Sequence, residues 1–358
     1  MIYGEKFLTS TNNNTLSLES GVLVLEADAN NIALLTEASN IMVLTEGGVA
    51  DFFKNLLTRV KEWISKALGF VSNAISWIYL KAMGFIGKLL VALNKDKNLN
   101  ESAVLEASKV KGFNMQKVYM RKDMNEELNN FDVFVEEYGS KLIGFNNKYS
   151  YELGDQMPDF ETEKEALEWI SGKHENFTNE LSKITDIMNE KADHFEKIFT
   201  NISYEKVFEI HNSSCDSVDD ALQFVAGQKK MFTKFQQSFK SLDHLLKYLK
   251  DRVLDPTEQT YKEFNEGIEK GLADGNDPSV KLISNMLNSY YPAVAKYMSI
   301  STNGITKSIK LFSKACKDNM ASLVTIGQHV KDPDKLDIDS VKVPENFAGS
   351  LVSTTVIY

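Results

Sequence analysis

The side chains able to do chemistry are few and scattered. Five histidines (His174, His194, His211, His244 and His329) occur along the chain, and only His211 stands near other metal-type donors. Cys215 and Asp216 follow it by four and five positions, so a turn there would gather two or three ligands. The pairs Glu126-Glu127 and Glu136-Glu137 fall in helical stretches, where neighbouring acids stay solvated unless a cleft perturbs them. Asp332, Asp334, Asp337 and Asp339 lack the glycine and the closing glutamate of a calcium loop. The sequence contains no Gly-rich phosphate loop, His-Glu-x-x-His helix or Gly-x-Ser-x-Gly elbow. The expectation is therefore a non-enzymatic protein with no catalytic residues, no cofactor and no metal.

The elements that would have to position any site are set by composition. The 358 residues are 43% hydrophobic and 25% charged, a globular balance with enough length for two or three cores. The net charge of −10 includes only three arginines, Arg59, Arg121 and Arg252. Guanidinium forks are the usual readers of guanine edges and phosphates, so specific nucleic-acid recognition is not expected. Two cysteines allow at most one disulfide, and the fold must rest on packing.

The clearest periodicity runs from Asp51 to Lys95. Apolar residues recur at helical spacing, and Phe52, Phe53, Leu56, Val60, Trp63, Phe70 and Trp77 share one face. Seven basic residues against Asp51 and Glu62 give this segment +5 within an acidic chain. A basic helix with an aromatic face suits a bilayer interface, and Ala67 to Leu93 holds only Lys81 and Lys88 as charges. The same stripe suits the central helix of an all-α core, or a self-association seam. Gly69, Gly84 and Gly87 would serve a hinge or a close helix crossing.

The first 46 residues lack the charge and size order of a secretory signal. They repeat instead: Asn31-Ile32-Ala33-Leu34-Leu35-Thr36-Glu37 returns as Asn40-Ile41-Met42-Val43-Leu44-Thr45-Glu46, with looser copies ending at Glu19 and Glu26. Short Val, Leu and Ile runs between polar clusters read as strands, so this zone is expected to be β-prone, although each run would also suit a turn of helix. Leu35-Thr36-Glu37 and Leu44-Thr45-Glu46, with Leu99-Asn100-Glu101 farther on, resemble the Leu-x-Glu signal in the internal head and prohead-core proteins of large tailed phages. The resemblance implies a removable propeptide cut after Glu37, Glu46 or Glu101 by a maturation protease. It also implies assembly in the host cytoplasm, residence inside the phage head, and other virion or capsid proteins as partners.

The rest of the chain reads as an all-α multi-helix bundle. Helices are expected over 101–130, 131–145, 161–201 (whole, or joined near Gly172) and 217–254, the last opened by the capping box Ser217-Val218-Asp219-Asp220. Asp255-Pro256 and Asp277-Pro278 each read as a fresh helix start, with breaks at Pro292 and at Ser301-Thr302-Asn303-Gly304. The sequence thus divides into a β-prone leader at 1–46, the amphipathic segment at 47–97, an all-α body at 98–331, and an acidic linker with a β-prone tail at 332–358. A structural virion protein accounts for these features. A pore-forming or membrane-disrupting helical protein, and a helical scaffold without a membrane role, are the alternatives.

Overall fold

The computed structural model describes residues 18–42, 49–95, 115–153, 156, 158–213, 215, 217–273, 278–330 and 333–341. Among the described residues the chain is all-α apart from one pair of short strands, as its periodicity predicts. Helix α1 covers Leu18–Met42 and α2 covers Val49–Trp77; a π-turn at Ile78–Ala82 leads directly into α3, Met83–Lys95. Strand β1 (Met115–Met120) precedes α4 (Lys122–Leu153) and α5 (Glu163–Thr200). A short α6 (Tyr204–Val207) leads into β2 (Phe208–Ser213), followed by α7 (Val218–Tyr248), a π-turn at Leu249–Leu254, α8 (Asp255–Ala273) and α9 (Pro278–Gln328).

Helix α9, with 51 residues, packs against α1, α2, α5, α7 and β1. Its middle was expected to break, and it does not. Thr302, Thr306 and Ser308 donate their hydroxyl protons to the carbonyls of Ser299, Thr302 and Gly304, at 3.0, 2.7 and 2.9 Å. The polar stretch therefore satisfies much of its own hydrogen bonding within the helix and can be buried. Gly304 is there for clearance: a Cβ would collide with the Phe131 ring and lie 2.7 Å from Phe199. Pro292 also sits inside α9; it removes one donor, but Tyr290, Tyr291, Val294 and Tyr297 around it are buried and keep the helix in place.

Helix α4 is fastened by tyrosine hydroxyls. Tyr297 donates to the Val135 carbonyl at 2.6 Å, Tyr290 to Leu142 at 3.2 Å and Tyr248 to Glu136 at 2.7 Å. Gly139 lets two of these rings approach, since a Cβ would stand 2.6 Å from Tyr297 Oη and 2.9 Å from Tyr248 Cε1.

Four local expectations are corrected. The leader is helical over 18–42 rather than strand-forming. Its short apolar runs place Val22, Leu25, Ala29 and Ile32 at spacings of three and four, and this line is buried against α2 and α9. Within the helix expected over 101–130, residues 115–120 instead form β1, which pairs antiparallel with β2 from Met115↔Ser213 to Met120↔Phe208, while 122–130 is helical as the start of α4 and 101–114 lies outside the described residues. Two β1 amides are taken up by α9, with Gln116 donating to Ser322 Oγ at 3.0 Å and Val118 to Asn319 Oδ1 at 3.2 Å. The turn-rich stretch from Asn146 is helical to Leu153, because Asn146 and Tyr149 face the core. Asp255-Pro256 starts no separate helix: the wider π-turn before it, in which Asp255 N–H reaches the Lys250 carbonyl, lets α7 run into α8. Ser217 caps α7 as expected, with Asp220 N–H donating to Ser217 Oγ at 3.1 Å; the Asp220 carboxylate accepts the Ser217 hydroxyl proton at 2.8 Å in place of the reciprocal backbone bond of a capping box. The proposed strand-forming tail, 342–358, lies outside the described residues.

The two kinds of glycine give opposite expectations. Gly304→Ala should destabilise the protein by about 1–3 kcal/mol through overpacking. Gly84→Ala, where a Cβ meets nothing within 4 Å, should stabilise it by about 0.5–1 kcal/mol through helix propensity. Urea denaturation of both variants checks the signs.

Candidate functional site

The amphipathic face of α2 is brought together, but in the interior. Phe52, Phe53, Leu56, Val60, Trp63, Phe70 and Trp77 are all buried, with Trp63 and Phe70 fully so. Phe53 stacks on Tyr291 of α9 with ring centroids 4.2 Å apart and also meets Tyr261 of α8 at 5.8 Å. Trp63 Nε1 donates to Thr306 Oγ1 at 3.2 Å, joining α2 to the self-satisfied middle of α9. Trp77 lies 6.2 Å from the Phe232 ring of α7. Indole, with a large apolar body and one donor, is buried at low cost only where that donor finds an acceptor, and Thr306 supplies it for Trp63.

The charges of the segment are partly used at home. Lys61 pairs with Glu258 of α8 at 2.9 Å, Lys66 with Asp28 of α1 at 2.8 Å, and Arg59 with Glu62 at 3.4 Å. Lys61 and Lys262 together hold the Glu258 carboxyl below its ordinary range, chiefly through their hydrogen bonds. Among the described residues Lys54, Lys81 and Lys88 make no ion pair.

From the π-turn onward the surface differs. Tyr79 and Leu80 are each 66% exposed and Val91 52%, and Gly84 and Gly87 open to solvent beside them. Positions 80, 84, 87 and 91 follow helical spacing, so they form an outward apolar line, with Lys81 and Lys88 one residue to the side. The spacing was legible in the sequence. It was obscured because 67–93 is apolar nearly all round, and composition alone does not say which side faces out. From Phe52 to Asn94 the helix is long and apolar enough to cross a membrane.

Of the three candidate processing positions only Glu37 is among the described residues. Glu37 is exposed near the end of α1, directly after Thr36, whose buried hydroxyl donates to the Ile32 carbonyl at 2.9 Å and lies 3.3 Å from that of Ala295 in α9. A protease takes an extended chain, so a cut after Glu37 requires this turn of α1 to unwind. Glu46 and Glu101 lie outside the described residues. Helix α1 is also held by charge: Glu26 receives Lys310 at 2.9 Å and Lys307 at 3.4 Å.

The His211 grouping does not assemble. His211 is exposed on β2, with Nε2 3.4 Å from Glu209 Oε2 and its ring edge-on to Tyr119, whereas Cys215 is buried and Asp216 lies outside the described residues. Among the described residues no three His, Cys, Asp or Glu side chains are grouped to hold a metal. No family model, curated protein or solved structure matches the chain.

Substitutions on the two faces of the α2–α3 helix separate core from surface. Trp63→Asp puts an unpaired charge in the core and should abolish cooperative unfolding or lower stability by more than about 4 kcal/mol. Leu80→Asp should change stability by less than about 0.5 kcal/mol. Circular dichroism through a thermal ramp reads both.

Proposed function

We propose that this protein is a non-enzymatic structural component of a tailed-phage virion. In this reading it is assembled in the host cytoplasm and housed inside the head, with 49–95 as the strut of its core. The observation that best supports a structural role is the complete burial of the Trp63 face between α9 and α7, which uses the amphipathic segment to hold the fold together. The outward line of Leu80 and Val91, flanked by Lys81 and Lys88, is then the surface offered to another virion protein, and its lysines favour an acidic partner. The leader resemblance adds a maturation protease as a second, transient partner. Glu46 is the better processing position than Glu37, because Glu37 is committed to the helical end of α1.

A membrane-disrupting protein is the second reading. It is favoured by the length and apolarity of Phe52–Asn94, and requires α2 to leave α7 and α9 before its aromatic face can reach lipid.

The deciding experiment is the intact mass and N-terminal sequence of the protein from its native source. A chain that co-sediments with phage particles and starts at Gly47 is expected. A chain that starts at Met1 and stays apart from particles overturns the virion reading. Leakage of anionic vesicles by the intact folded chain would favour the second.

A further inference from the structure

A cleft with no residue of the amphipathic segment in its walls forms where β1, α4, α7 and α9 meet. Its walls include the apolar side chains of Leu128, Leu242 and Phe312, and Asp132 of α4 supplies a carboxylate. Ser241 of α7 donates to Asp132 Oδ2 at 2.6 Å. Oδ1 has no hydrogen-bond partner, and Asp132 makes no ion pair among the described residues. A half-buried carboxylate with one oxygen unused by the protein carries a desolvation cost, and such positions are disproportionately functional.

The other polar groups of the cleft define what it can take. Ser238 Oγ gives its proton to the Lys234 carbonyl at 3.2 Å, and Ser308 Oγ gives its own to Gly304 at 2.9 Å. Both hydroxyls are left with acceptor lone pairs only. Asn125 and Asn129, one turn apart on α4, add two amide groups, each able to turn its carbonyl toward a donor. The cleft therefore surrounds a single negative charge with groups that can accept, which calls for a positive ligand that donates. A divalent metal needs more charged oxygens than one carboxylate provides. A guanidinium fork needs both carboxylate oxygens in parallel, and Ser241 already occupies Oδ2. An ammonium group, a compact charge with three donors, fits the one oxygen that remains.

We infer that this cleft binds a primary ammonium group, with Asp132 Oδ1 as its counter-ion and the Ser238 and Ser308 hydroxyls as further acceptors. The inference is independent of any virion role. Burial, partly offset by the Ser241 hydrogen bond, pushes the Asp132 carboxyl up to about 6. Glu136, one turn along α4, adds to the rise, and His244 on α7, which pairs with Glu136 at 3.2 Å, opposes it; the cleft residues of β1 and α9 carry no titratable group. A carboxyl whose folded pKa is raised favours the folded state below its unfolded value near 4 and loses that contribution as pH rises through about 6. At neutral pH the empty site is thus a destabilising charge, and a bound cation relieves it.

The test is titration of the full-length 15N-labelled chain with methylammonium chloride, read from the backbone amides around Ser241 and Asn129. Saturable shifts are expected at pH 7, with affinity about tenfold lower at pH 5, as a group titrating near 6 becomes protonated. Asp132→Asn, which keeps the shape and the Ser241 contact, should weaken binding at least about tenfold and remove the pH dependence. The same variant should raise Tm at pH 7 by about 2–4 °C, which shows that it folds. Low-millimolar guanidinium should bind at least about tenfold more weakly than methylammonium. Binding of Nα-acetyllysine amide at the same residues would identify a lysine side chain as the source of the ammonium; binding of methylammonium alone would identify a free amine. Absence of saturable shifts in the wild type, or equal affinity in Asp132→Asn, overturns the inference.

Discussion

A 51-residue helix that serves as the centre of a fold imposes a constraint on everything around it. Helix α9 must be apolar on most of its circumference and still carry polar residues there; the Ser301 and Ser313 hydroxyls stay unpaired among the described residues, but most of the polar load is accommodated. It does so by turning hydroxyls back onto its own carbonyls at Thr302, Thr306 and Ser308. Thr306 then has an acceptor left over for the Trp63 indole, and the side chains of Asn319 and Ser322 are free to take up the amides of β1. With both cysteines reduced and buried, no covalent staple substitutes for this arrangement. Helices α1, α2, α5 and α7 are arranged as the surfaces that cover α9.

The same constraint explains what could be read from the sequence. Where burial is one-sided, periodicity shows it: the stripe through Phe53, Trp63 and Phe70 announced a long helix and its apolar face, and the fold turns that face inward. Where an element is surrounded, periodicity fades and local rules mislead. Ser301-Thr302-Asn303-Gly304 has the composition of a turn, yet it lies within α9, because Gly304 answers to the rings of Phe131 and Phe199 rather than to its own backbone. Asp255-Pro256 looks like a start signal because local propensity cannot show a π-turn in front of it. In the leader, repeated short runs carried strand propensity, whereas contact with α2 and α9 made them one helix.

Chemistry was less legible than fold, for a related reason. The sequence displays side chains that are close along the chain, such as His211 and Cys215, of which the fold exposes one and buries the other. Asp132 attracts no notice in sequence because Ser238, Ser241 and Ser308 stand more than a hundred residues away on two other helices. Their meaning lies in where their protons go: Ser238 and Ser308 give theirs to backbone carbonyls one turn earlier, whereas Ser241 gives its own to Asp132.

Helix α1 illustrates how a contact changes character when a connection is cut. Its hold on α2 and α9 through Leu25, Ile32 and the Glu26 cluster is made within one chain, where the short 43–48 connection keeps it at an effective concentration on the order of millimolar. Once severed from α2, the same contacts would join two molecules, and their occupancy would depend on dilution. In a crowded compartment the helix would remain seated. On release into a larger volume it would dissociate, and the groove between α2 and α9 would open without further chemistry.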